Sequence, residues 1–171
     1  MYLYNINQTQ PYYRQTTIYC PNTNQNSRPL FSNKVQMPTP QRNYCLFDQN
    51  KVDFFVKRKE LSIPYLSGIL ARSNDEREIT ESLYIVDRMI DNGTRGVDKM
   101  YPVLSRFNMT NSPNIQTFLA GIYRKIQVPD AFGPLIAMLI RNALNPQPSC
   151  FDPNEEVGGA ILAYLSDRFK G

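Results

Sequence analysis

The feature that most constrains this sequence is a 36-residue offset between two stretches with the same apolar pattern. The pattern of residues 79–90 recurs in residues 115–126, and the segment that follows keeps the offset. The matched positions are Ile79, Leu83, Val86 and Ile90 with Ile115, Leu119, Ile122 and Ile126, then Met100, Val103 and Leu104 with Ile136, Leu139 and Ile140. Because the spacing within each stretch follows a helix face, the offset predicts a two-helix unit used at least twice.

Capping residues and helix breakers predict where these helices begin and end. The predicted N-caps are Asp48, Ser73, Thr94, Ser112, Asp130 and Asp152. Pro102 predicts a kink, or a helix start delayed to about Lys99. The run at 132–143 is apolar on more than one side, so we expect it to be the most buried helix. Gly158 and Gly159, inside the last helical pattern, indicate close helix packing.

These features predict an all-α fold, a short right-handed array of antiparallel helix pairs over residues 47–171. The alternative is a compact orthogonal bundle of five to six helices, because an array usually needs three units or more. In its period and its capped helix–turn–helix pattern, the chain resembles the HEAT/armadillo class of helical repeats over roughly residues 62–169. Tetratricopeptide repeats have a similar length, but their signature requires Trp and this chain has none. The resemblance implies that the second helices line a concave face.

Residues 1–46 have a different composition, dominated by Asn, Gln, Thr, Pro and Tyr. Their charged residues are Arg14, Arg28, Lys34 and Arg42, with no Asp or Glu, and this accounts for the whole net charge of +4. Such a segment cannot bury enough apolar area to offset its ordering entropy, so we predict a disordered basic tail. The tail could serve for docking, for export or targeting, or for nucleic-acid contact through Tyr12, Tyr13 and Arg14.

The sequence lacks the residues and motifs that several kinds of catalysis require. The chain has no His, no Cys-x-x-Cys pair and no Gly-rich phosphate loop before a helix. We therefore expect a non-enzyme without cofactor or metal. The three cysteines are odd in number and far apart in sequence, a pattern typical of reduced thiols in the cytoplasm. No apolar run approaches the 18 residues of a membrane span, so no membrane partner is expected.

Basic side chains off the apolar stripes, with Tyr101 nearby, give the candidate binding residues. We call the following set, on the predicted second helices, the basic surface: Arg95, Lys99, Tyr101, Arg106 and Arg141. We interpret the run Lys57, Arg58 and Lys59 as a complement to a helix dipole. The leading hypothesis is a non-enzymatic module that binds a protein or peptide partner and carries a flexible tail. The alternative is a nucleic-acid-binding protein that uses the tail and the basic surface; the oligomeric state stays open.

Overall fold

The computed structural model describes residues 47–146 and 152–168, and this part of the chain consists of helices joined by turns. The α-helices are α1 (Gln49–Arg58), α2 (Ile63–Arg72), α3 (Glu76–Asp91), α4 (Tyr101–Leu104), α5 (Pro113–Ile126), α6 (Phe132–Leu144) and α7 (Pro153–Arg168). Short 3₁₀ turns lie at Lys59–Ser62, Val97–Met100, Ser105–Phe107 and Pro129–Ala131. The predicted all-α fold is confirmed. The tail predicted over residues 1–46 lies outside the described residues.

The helices are arranged in two layers. In the first layer α1, α3, α5 and α7 pack side by side in chain order. In the second layer α2 packs against α4 and the turn before it. Two second-layer helices also pack on the first-layer helix that follows them, α2 on α3 and α6 on α7.

Hydrogen bonds join residues that are about one unit apart along the chain. The backbone N–H of Arg95 donates to Glu60 across 35 residues, and the Arg106 guanidinium donates to the Leu70 carbonyl across 36. The Tyr164 hydroxyl donates to the Val128 carbonyl, also across 36 residues. These three hydrogen bonds thus span nearly the same separation as the offset in the apolar pattern.

Helix α5 is the centre of the core. Every residue from 114 to 123 is buried, because α3 and α7 flank the helix and the turn at 105–107 packs on it. Its buried Gln116 exchanges two side-chain hydrogen bonds with Asn142 of α6, at 3.1 and 2.7 Å. The expectation that residues 132–143 form the most buried helix is wrong, since Ile140 of α6 is 53% exposed. That helix lies at the edge of the second layer, which leaves one of its apolar sides uncovered by the described residues.

Three of the six predicted N-caps are confirmed and three are wrong. Asp48, Ser112 and Asp152 each accept backbone N–H bonds at the starts of α1, α5 and α7. Asp75 caps α3 by accepting from the Glu78 N–H, and the predicted cap Ser73 accepts from Asp75 instead. Thr94 and Asp130 precede or lie within 3₁₀ turns and provide no side-chain cap hydrogen bond to those turns or to the helices after them. The interruption expected at Pro102 is present, because a 3₁₀ turn precedes α4 and the α-helix begins only at Tyr101.

Replacing Gly158 by Ala is expected to raise the free energy of unfolding by roughly 0.5–1 kcal/mol. The predicted close packing at this position is not found, because a Cβ at Gly158 would meet no atom within 4 Å. Ala therefore gains helix propensity without a clash. Urea unfolding followed by circular dichroism measures the change, and an unfolding midpoint below that of the unsubstituted chain would contradict it.

Candidate interaction surface

Only part of the basic surface predicted from the sequence is available to an external ligand. Arg95 and Lys99 are exposed, and within the described ranges neither side chain forms an ion pair. The Tyr101 hydroxyl donates to the Asp130 carbonyl at 2.8 Å, which ties it to the next unit. The proposed tail contacts Tyr12, Tyr13 and Arg14 lie outside the described residues.

The two remaining arginines of the basic surface act as links between units. Arg106 donates to the carbonyls of Leu70 at 2.7 Å and Ser73 at 3.2 Å, at the end of α2. Arg141 donates in the same way to the carbonyls of Asn108 and Thr110, each at 3.1 Å. Both guanidiniums satisfy carbonyls that a helix or turn end leaves without an intrahelical partner. These hydrogen bonds leave fewer donors for an external ligand.

A different surface stands out where α1 turns into α2. Three large side chains are exposed there: Phe54 by 51%, Leu61 by 76% and Tyr65 by 61%. Together with Phe55, Arg58 and Ser62 they border an open cavity of about 370 Å³, which we call the aromatic pocket. Contiguous exposed apolar side chains are typical of interaction sites rather than of ordinary surface.

Local sequence explains why these side chains point outward. Val52 and Phe55 of α1 are buried, so Phe54 lies off the core-facing side of the helix. The chain then turns tightly at Lys59, whose φ of 47° is rare for a residue with a side chain. In this turn Ser62 is buried and its hydroxyl donates to the Phe55 carbonyl at 2.7 Å. Leu61, next to it, is left facing solvent.

The rings of the aromatic pocket contact each other. Phe55 stacks on Tyr65 with centroids 5.2 Å apart, and Phe54 meets Phe55 edge-on at 5.3 Å. The Arg58 guanidinium lies 5.0 Å from the centre of the Phe54 ring, in cation–π range. Aromatic side chains and arginine are the types that contribute most to binding in protein interfaces.

Two hydrogen bonds hold the pocket in shape. The first is the bond from Ser62 to the last turn of α1. The second runs from the Arg95 N–H to the Glu60 carboxylate at 3.0 Å, and it lowers the pKa of Glu60. The strained turn is therefore anchored both to its own helix and to the next unit. A preformed site of this kind loses little conformational entropy on binding.

Sequence reasoning missed the aromatic pocket. The run Lys57, Arg58 and Lys59 was interpreted only as a complement to the helix dipole. The available signal was the adjacent pair Phe54 and Phe55, because a helix that packs on one side only seldom buries two neighbouring large residues. Periodicity alone does not show which of the two stays exposed.

The buried tyrosines hold their protons. Burial raises the pKa of Tyr123, and burial also raises the pKa of Tyr164 to about 12. Their hydroxyls donate to Asn108 at 2.8 Å and to the Val128 carbonyl at 2.9 Å. A phenol that stays protonated and already donates a hydrogen bond serves packing and not proton abstraction.

Comparison with protein-family models, with curated protein sequences and with solved structures gives no match. Within residues 47–146 and 152–168, no three His, Cys, Asp or Glu side chains are grouped so that they could hold a metal ion. In the same part of the chain, no helix has the length and hydropathy needed to cross a membrane.

Proposed function

We propose that this chain is a non-enzymatic protein-interaction module, a short helical-repeat scaffold that binds a peptide segment at the aromatic pocket. The observation that carries the proposal is the concentration of the exposed Phe54, Leu61 and Tyr65 around the hydrogen-bonded turn between α1 and α2. The proposed location is the cytoplasm, on the interpretation of the distant cysteines as reduced thiols. The predicted flexible tail would tether or regulate the module.

The two-layer array supports a scaffold role. Its units contact each other through carbonyl-bound arginines and a one-unit hydrogen-bond register, so the surface of one unit is held fixed relative to the next. Stacked helix pairs of this kind present extended surfaces to partners. The nucleic-acid hypothesis has less support, because the guanidiniums of Arg106 and Arg141 already donate hydrogen bonds to main-chain carbonyls.

A peptide-display selection with the full chain tests the proposed function. Selected peptides are expected to bind the unsubstituted chain and to lose roughly tenfold or more in affinity on Leu61→Ser, because Leu61 is a central exposed anchor. The matched control is Leu144→Ser, since Leu144 is 74% exposed and Leu61 is 76% exposed. Fluorescence anisotropy with labelled peptides gives the dissociation constants.

Both serine variants should keep the stability of the unsubstituted chain to within about 0.5 kcal/mol, because both leucines face solvent. Thermal unfolding by circular dichroism verifies this before binding is compared. Failure to enrich any peptide, or equal affinity for the Leu61→Ser and Leu144→Ser variants, would overturn the proposal.

A further inference from the structure

We infer that the aromatic pocket binds an acidic peptide segment that inserts one aromatic or large aliphatic side chain between Phe54, Leu61 and Tyr65. The inference rests on the proposed interaction function and adds the chemistry of the partner. Two observations carry it: the size and lining of the pocket, and the basic run Lys57, Arg58 and Lys59 at the end of α1, of which Arg58 lines the pocket.

The pocket accommodates a single large apolar side chain. Its volume of about 370 Å³ lies at the small end of the range of roughly 300–1,000 Å³ found for ligand sites. The walls are ring faces and the Leu61 side chain. The border has two hydroxyl groups, those of Ser62 and Tyr65, and that of Ser62 already donates to the Phe55 carbonyl. An apolar anchor loses no hydrogen bond there, whereas a polar one would find few partners.

The basic rim, as we call the run Lys57, Arg58 and Lys59, places one side chain in the pocket lining, that of Arg58. Lys57, Arg58 and Lys59 are all exposed, and no ion pair joins any of them to another described residue. Arg58 already lies over the Phe54 ring, where it can bind a carboxylate through two N–H groups while it covers the anchor. The dipole of α1 also favours basic residues at this end, but it does not require Arg58 to line an apolar cavity.

The two carboxylates nearest to this run in the sequence are engaged elsewhere. Asp53 accepts a hydrogen bond from the Gln49 side-chain amide at 2.8 Å. Glu60 accepts from the Arg95 N–H at 3.0 Å. Both carboxylates keep their negative charge, but neither forms an ion pair with Arg58 in the described structure, so the Arg58 guanidinium is available to a partner.

Charge also argues against two other occupants. The chain's own residues 1–46 carry four basic residues and no acidic one, so they would be repelled by the rim. A second copy that docked pocket to pocket would oppose Lys57, Arg58 and Lys59 to the same residues, which is again unfavourable. An acidic segment of another protein supplies both the apolar side chain that enters the pocket and the negative charge that pairs with the basic rim.

Four synthetic peptides of about twelve residues test this inference by anisotropy with the full chain. One has a central Phe flanked by Glu; the others replace Glu by Gln, Glu by Lys, or Phe by Ser. We expect the acidic peptide to bind at least about tenfold more tightly than the Gln peptide in about 50 mM salt, and this advantage to shrink in about 300 mM salt. The Lys and Ser peptides should bind weakest.

Matched variants separate the rim from the overall charge. Lys57→Gln with Arg58→Gln should remove most of the advantage of the acidic peptide. The double variant Arg77→Gln with Lys99→Gln removes the same amount of charge from exposed positions elsewhere. It should preserve the advantage of the acidic peptide. Equal binding of the acidic and Gln peptides would overturn the inference and leave the interaction function standing.

Other results identify other occupants. If neither these peptides nor displayed ones bind, the interaction function fails together with the inference. A synthetic peptide of residues 1–46 that displaces the acidic peptide would identify the tail as the occupant. A dimer seen by light scattering and abolished by Leu61→Ser would identify a second copy. Either of these two results would overturn the inference.

Discussion

Replacing Leu119 by Ala is expected to lower the free energy of unfolding by about 2–5 kcal/mol, the usual cost of a cavity in a packed core. Leu119 is fully buried in α5, the helix that packs against both α3 and α7. Its neighbours belong to rigid helices on both sides, so the site cannot collapse easily to fill the space. Urea unfolding monitored by circular dichroism measures the loss.

The control is the same substitution at Leu162 of the adjacent α7. Leu162 is 67% exposed, so Leu162→Ala should change the free energy of unfolding by no more than about 0.5 kcal/mol. Equal losses for the two variants would mean that α5 is not the centre of the core. The free energy of unfolding of a small domain is roughly 5–15 kcal/mol, so the loss expected for the Leu119 variant is a large share of its stability.

The sequence predicts the first layer better than the second. Leu83 and Leu119, 36 residues apart, are both fully buried. Leu104 and Ile140 share the same offset, but Leu104 is fully buried whereas Ile140 is 53% exposed. The reason lies in the neighbours of the two helices: α4 packs against α2, whereas among the described residues α6 packs mainly against α7 and makes no comparable contact with α4. Periodicity gives the apolar side of a helix but not its neighbours.

The same limit explains the errors at helix starts. Thr94 and Asp130 have the right residue types and the right offset for N-caps, yet 3₁₀ turns occupy these connections. Thr94 is buried, and its hydroxyl has no hydrogen-bond partner among the described residues. A cap is determined by local backbone geometry, which tertiary packing sets and residue type alone does not.

The candidate site was the least predictable part of the molecule. Arg106 and Arg141 were identified as surface charges, but only the folded structure shows that backbone carbonyls of the preceding unit accept their hydrogen bonds. The aromatic pocket depends on a turn at Lys59 with positive φ, which no turn residue in the sequence signals. Long-range contacts and unusual backbone angles are the two features that a single sequence does not reveal.

Replacing Lys125 by Met is expected to give the second large loss of stability, about 2 kcal/mol near neutral pH. The Lys125 ammonium lies 2.7 Å from Asp87 and 2.8 Å from Asp91, and it joins α5 to α3. The lysine and Asp87 side chains are only 23% and 20% exposed. Removing the ammonium leaves two carboxylates close together with one of them mostly desolvated.

The loss of stability in the Lys125→Met variant should depend on pH, and the direction of this dependence follows from the pKa shift of Asp87. Burial raises the pKa of Asp87 above its ordinary value of 3.8, and the hydrogen bond from Lys125 opposes this rise. Without Lys125 the pKa of Asp87 rises further, so the folded variant binds more protons than the unfolded chain above pH 3.8. Its stability therefore falls as pH increases through that window, and the difference from the unsubstituted chain shrinks as pH decreases toward 4.

Two further variants make this prediction specific. Asp87→Asn in the Lys125→Met background removes the desolvated charge and should restore part of the stability at neutral pH. Lys99→Met deletes an exposed lysine with no ion pair among the described residues, and it should cost less than about 0.5 kcal/mol at any pH. Urea unfolding at several pH values measures all three. A Lys125→Met loss that is equal at pH 4 and pH 7, or that Asp87→Asn makes worse, would show that the lysine acts through packing of its methylene chain and not through its charge.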